Sequence, residues 1–245
     1  MRALWLAGAA LIASAGAAYS ADLPVKSAYV ATAPYNWSGC YIGAQVGYAW
    51  QRDANTERVD ATGAVPLHSP RERGYPDGVK AGGFIGCNWQ IAGPWVIGAE
   101  LDAEWADLSD TVPYFDITGD TYRVRTRAQG SLRGRIGYAI DRTLYYATGG
   151  GGAADVRHSY LDLPAGIRTS FTDISGGMTG GFGVEYAFLN NFTGRIEYRY
   201  ADFGTFNYNP APAFPGFSEH HRLTEHAVRA GLAFKFGGAP PPRQY

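Results

Sequence analysis

Cysteine is almost missing from this sequence: Cys40 and Cys87 are the only two in 245 residues, so at most one bridge can form within the chain. Charge is scarce as well, at 18% of residues, and 21 Lys and Arg against 22 Asp and Glu leave no basic excess. That balance excludes the electrostatic footprint of a nucleic-acid-binding protein. Long apolar runs are the third shortage. Beyond the first twenty residues no stretch approaches the roughly 18 consecutive apolar residues that a transmembrane helix needs. If the chain enters a membrane, strands must carry it. Glycine and aromatic residues are abundant, with 33 Gly and 17 Tyr.

"MRALWLAGAALIASAGAAYS" opens with Arg2, runs apolar from Leu4 to about Ala18, and ends on small residues, so residues 1–20 read as a signal peptide cleaved before Ala21. Residues 21–36 carry scattered Pro and Ala without period and read as an extended periplasmic leader. From Trp37 to Phe236 eight alternating segments follow: "WSGCYIGAQVGYAW", "VKAGGFIGCNWQ", "WVIGAELDAEWADL", "YRVRTRAQGSLRGRIGYA", "LYYATGGGGAADVRHSY", "ISGGMTGGFGVEYAF", "FTGRIEYRY" and "TEHAVRAGLAFKF". Their connections alternate in length. Ile91–Pro94, Ile140–Thr143 and Leu189–Asn191 are short, whereas Arg52–Asp77, Ser109–Thr121, Leu161–Asp173 and Phe203–Glu219 are long. Tight turns on one side, long loops on the other and an even strand count are the pattern of an outer-membrane barrel with both chain ends in the periplasm. The expected fold is all-β, an eight-stranded antiparallel transmembrane β-barrel over residues 37–236, with residues 237–245 as a tail.

Strand side chains alternate between faces, so parity assigns each residue to lipid or lumen. In the third segment Trp95, Ile97, Ala99, Leu101, Ala103 and Trp105 share one face and Glu100, Asp102 and Glu104 the other. Trp37, Trp50, Trp89, Trp95 and Trp105 stand near segment ends, where interfacial girdles form. The same parity turns Arg127, Arg133, Arg135, Glu185, Arg195, Glu197, Arg199, Glu225 and Arg229 inward with Glu100, Asp102 and Glu104. Eight strands leave an interior just wide enough for side chains, so these charges are expected to meet one another and to leave no wide pore. A two-residue turn at Asp141-Arg142 pairs Ile140 with Thr143 and sets Gly150 opposite Arg133.

"WSGCYIGAQVGYAW", "GGFIGCNWQ...WVIGAELDAEWAD", "GSLRGRIGYAIDRTLYYATGG", "GGMTGGFGVEYAF...FTGRIEYRYADFG" and "HAVRAGLAFKF" together resemble the small porin-like outer-membrane β-barrel proteins of alphaproteobacteria. These are often called outer-membrane immunogenic proteins and form a branch of the OmpA-type eight-stranded barrels. The resemblance spans about Trp37 to Phe236. It implies an abundant protein of the cell outer membrane that supports envelope integrity and presents loops outward, its partners being outer-membrane lipid and an extracellular or host surface. Some relatives are linked to haem, which makes haem the one cofactor in view. Such barrels usually stop at an aromatic residue, and here Phe236 closes the last segment while Tyr245 closes the tail, so either can be the assembly signal.

No catalytic motif emerges. His226 falls on the outward parity with Val228 and Ala230, where a rim histidine is simpler than a hydrolase. His68 and the His220-His221 pair fall in expected long loops; they could ligate a metal or haem iron, but solvated loop histidines are the simpler reading. "GAELDAEWAD" spaces its acids with the pleat rather than as a glycosidase pair. The glycines of "TGGGGAAD" lack the Lys-Ser/Thr of a phosphate loop. Cys40 and Cys87 lie near the periplasmic rim with outward parity, which favours a cross-strand disulfide in an oxidising compartment over two lipid-facing thiols. A structural surface barrel is the first functional reading. A narrow porin, a haem-binding surface protein and a secreted soluble ligand-binding barrel are the alternatives.

Overall fold

The computed structural model describes residues 35–59, 71–113, 121–163, 166–208 and 217–237. The expected signal peptide, most of the leader and of the tail, and His68 lie outside them. The alternating segments become β1 (Gly39–Val59), β3 (Asp77–Ala92), β4 (Trp95–Pro113), β5 (Thr121–Ile140), β6 (Thr143–Asp162), β7 (Ile167–Ala187), β8 (Phe192–Tyr208) and β9 (Phe217–Phe236). Each pairs antiparallel with the next, and β1 pairs with β9 from Cys40↔Phe236 to Val59↔Phe217, which closes the sheet. An additional short strand, β2 (Arg71–Gly74), pairs with Asp53–Thr56 of β1 inside a connection expected to be loop.

The short connections lie at one end, and the two-residue turn at Asp141-Arg142 holds. Ile140 pairs with Thr143, and Asp141 takes the left-handed conformation at φ 50°, which Asp tolerates better than most residues. At the other end the strands outrun the sequence expectation. β6 continues through Asp162 and β7 resumes at Ile167, within the expected Leu161–Asp173 loop, and β1 and β9 stay paired far beyond Trp50. Above the lipid both faces of a strand meet water or protein, so the apolar alternation that marked the segments fades while backbone pairing goes on.

Trp95 and Trp105, both exposed on the outer face of β4, bracket an apolar stretch whose length can be compared with a bilayer. Ten residues of strand span about 33 Å. A barrel tilt of about 40° reduces that to about 25 Å, the height of an outer-membrane apolar band. Ile97 and Leu101 between them, and Leu132 and Ile136 on β5, also face outward. Trp89 and Trp95 stand at the short-turn level, where Trp95 packs edge-on against its cross-strand partner Tyr138 at 5.3 Å between ring centres. Trp50 and Trp105, exposed on the outer wall, mark the opposite level. Trp37 departs from the expected girdle. It precedes β1 in an irregular stretch and is buried inside the mouth, 1% exposed.

Candidate functional site: a neutralised interior between two caps

The interior is built in layers, starting at the short-turn mouth. Residues 35–38 fold across it: the Trp37 amide donates to Gln90 Oε1 at 3.0 Å, the Gln90 amide to Ser38 Oγ at 3.0 Å, and Lys235 Nζ to the Asn36 carbonyl. The Trp37 ring packs on Val96, Leu144, Tyr146 and Ala187. Tyr35 donates to the Asn190 carbonyl at 3.1 Å. Burial, helped by the nearby Glu185 charge and opposed by Arg142, pushes its hydroxyl up to about 12.

Above this cap six carboxylates (Glu100, Asp102, Glu104, Glu185, Glu197 and Glu225) meet six cations (Lys80, Arg133, Arg135, Arg195, Arg199 and Arg229), all buried. Register brings the first contact about, because β4 and β5 set Glu100 opposite Arg133. Arg133 reaches Glu100 at 2.6 Å, Glu197 at 3.0 Å and Asp102 at 3.1 Å. Arg195 crosses from β8 to Glu100, and Arg135 reaches Glu185 at 2.8 Å. Arg199 joins Asp102 at 3.0 Å to Glu197 at 2.8 Å. The layer is completed by Arg229 at 2.9 Å from Glu104 and Lys80 at 2.7 Å from Glu225. Rings fill the gaps: Arg195 lies 3.5 Å above the Phe84 ring and Arg135 4.0 Å above Tyr146. A void between Asp102, Gln129, Arg199 and Arg229 has a volume of about 10 Å³, at the lower limit for one water molecule.

Arg127 is not part of this network. A register shift between Thr126 and Ala128 puts one extra residue in β5, so Arg127 and Ala128 both face outward and parity inverts above them. Tyr122, Val124 and Thr126 therefore point inward, where unbroken alternation would have put Arg123, Arg125 and Arg127. Lys80 and the polar Gln45, Gln51 and Gln129 belong to the interior although the sequence reading passed over them. Their signal was alternation alone, Lys80 lying between outward Val79 and Ala81.

Gly150 faces Arg133, and a Cβ there would fall 2.1 Å from the Leu132 carbonyl and 2.7 Å from Arg133 Cα. Glycine at this position thus lets two backbones approach. Cys40 and Cys87 are register partners on the outer wall near the short-turn rim and are disulfide-bonded.

Toward the long-connection end the interior turns apolar, with Ala49, Ala106, Leu108 and Ala227 in one cluster. Above them lie Tyr122, Val124, Val156, Tyr160, Phe203 and Leu223. Set into this second cap are Asp53, His158 and His221. His221 was expected in a solvated loop; it is instead a fully buried residue of β9, because that strand begins at Phe217. His226 lies on the outer wall, its Nδ1 2.7 Å from the Tyr198 hydroxyl.

The family model described as "Outer membrane protein beta-barrel domain" matches residues 7–236. The chain belongs to that family. It is 31% identical to the 25 kDa outer-membrane immunogenic protein of Brucella abortus over 244 residues, covering 96% of this chain and 99% of the relative. It is 29% identical to the 31 kDa outer-membrane immunogenic protein of Brucella melitensis over 238 residues, 91% and 95% of the two chains. Among solved structures, the outer membrane protein OprG from Pseudomonas aeruginosa superposes with a TM-score of 0.50 at 13% identity, covering 83% of this chain and 98% of OprG. The protein is thus an integral β-barrel of the outer membrane, its short turns on the periplasmic side and its long connections outside.

Proposed function

We propose that this barrel is a closed, non-enzymatic structural element of the envelope that holds an extended rim beyond the membrane for contact with an extracellular or host surface. The observation that carries the reading is the six-to-six pairing of buried charge between two packed caps. A conducting lumen needs a continuous wet path, and here the twelve buried charged side chains of the network are paired with one another across the interior, with rings packed over Arg135 and Arg195. This packing favours the closed reading over a porin. The rim reading draws on strand length: β1 and β9 hold twenty paired positions, about 66 Å of ladder, of which a tilted crossing uses roughly half.

Two measurements test this. In planar bilayers the purified barrel should show no steady conductance, and open channels in most insertions would overturn the closed reading. Deleting the gene should sensitise cells to detergent and chelator, with restoration by the Arg133-containing wild type. A deletion strain with an unchanged envelope would remove the structural role.

A further inference from the structure

The geometry points to a binding site for one divalent transition-metal ion in the outer cap, held by Asp53, His158 and His221 with Tyr122 as fourth ligand. The three side chains come from β1, β6 and β9, and each offers a donor atom within 4.8 Å of the others. All are essentially inaccessible. The Tyr122 hydroxyl sits among them: 2.6 Å from His158 Nδ1, 2.7 Å from Asp53 Oδ2 and 3.3 Å from His221 Nδ1. His221 Nδ1 in turn lies 3.2 Å from each Asp53 oxygen. A tetrahedral ion with bonds of about 2.0–2.1 Å separates its ligand atoms by about 3.3–3.4 Å. The four spacings of 2.6–3.3 Å therefore need to widen by at most about 0.8 Å, and the His158 donor, within 4.8 Å of those of Asp53 and His221, has to close in by no more than about 1.5 Å, a change that side-chain rotation can supply.

Charge gives a second, independent reason. Every carboxylate of the six-to-six network has an Arg or Lys partner, but among the described residues the ion-pair partner of Asp53 is His221. Asp53 thus has, among the described residues, no Arg or Lys of the kind that accompanies each network carboxylate, and a metal cation at the centre would bring positive charge to this buried group. Two imidazoles with carboxylate and phenol oxygens suit zinc, copper or iron(II) rather than magnesium or calcium, which favour all-oxygen shells. Binding of a divalent ion displaces the Tyr122 proton to solvent, so that phenolate and carboxylate together balance its two charges. The ligating strands include β1 and β9 at the closing seam and β6 elsewhere in the ring, so the ion would tie the seam to the opposite wall.

Calorimetry of the detergent-folded full barrel with zinc chloride tests the site. One ion per chain is expected, with buffer-dependent enthalpy reporting release of one proton and at least tenfold weaker binding of magnesium. Asp53→Asn and His158→Gln should each weaken zinc at least tenfold, and Tyr122→Phe should abolish the proton release. Zinc binding unchanged in Asp53→Asn and His158→Gln would place the ion on other histidines and overturn the site. Should those variants fail to fold, cobalt(II) added to the wild type decides. A tetrahedral visible spectrum at one equivalent, erased by zinc, is expected, and its absence overturns the proposal.

Discussion

Arg133 shows best what a single residue does here, because three carboxylates from β4 and β8 converge on one guanidinium. Reversal to Glu leaves all three without that partner and adds a fourth negative charge. Breaking a buried pair typically costs about 3–5 kcal/mol, and Arg133→Glu should lower barrel stability by at least that, read from urea unfolding in lipid vesicles. Glu100→Arg added to it restores the pair directly across the ladder, and the double variant should regain part of the loss. Strictly additive damage would show that the two side chains do not share an interaction. Gly149 and Gly150 make a second residue-scale comparison. A Cβ at Gly149 meets nothing within 4 Å, whereas at Gly150 it strikes backbone. Gly149→Ala should be nearly neutral, and Gly150→Ala should cost about 1–3 kcal/mol in the same assay.

At the scale of elements, the β1–β3 pair carries the one covalent tie. Cys40 and Cys87 close a separation of 47 residues. On the chain-entropy account such a loop contributes up to about 4 kcal/mol, so replacing both cysteines by serine should lower the unfolding free energy by no more than that while leaving the barrel closed. Within the membrane, strand order and facing were readable from sequence, since Trp95 to Trp105 alternates without a fault and the Asp141-Arg142 turn pairs Ile140 with Thr143. Legibility failed where another effect displaced simple parity. One extra residue in β5 sent Arg127 outward and brought Tyr122 in. Trp37, an aromatic at a segment end, looked interfacial but precedes the first ladder pair, so it could turn into the mouth. Beyond Trp50 and Trp105 the loss of lipid removes the alternation, so the outer halves of β1, β8 and β9 read as loop. Asp53 and His221 were hidden for the same reason, while His158 lay within the fifth alternating segment but had no visible partner until the outer halves of β1 and β9 proved to be strand.

For the whole molecule, the interior is screened from solution while its outer rim is not. Added salt weakens exposed pairs such as Arg125–Asp107 but barely reaches the buried network, so raising sodium chloride from 0.1 to about 1 M should hardly move the urea midpoint. A shift as large as that of Arg133→Glu would mean that water and ions enter the lumen. Topology gives another expectation: an epitope placed in the 114–120 connection should be reached by antibody on intact cells, and one between Leu189 and Asn191 only after the outer membrane is opened. The neutralised interior also constrains how the molecule is made. Glu100 finds its cations on β5 and β8, so a sheet that entered lipid strand by strand would at some stage turn Arg133, Arg135 or Arg195 toward hydrocarbon, at about 2–4 kcal/mol each near the midplane. Early and late strands must therefore find each other before the bilayer closes around them. The order of biogenesis is written in which charges need which partners, and a chain stalled without β8 and β9 should remain outside the hydrocarbon rather than wait there half-built.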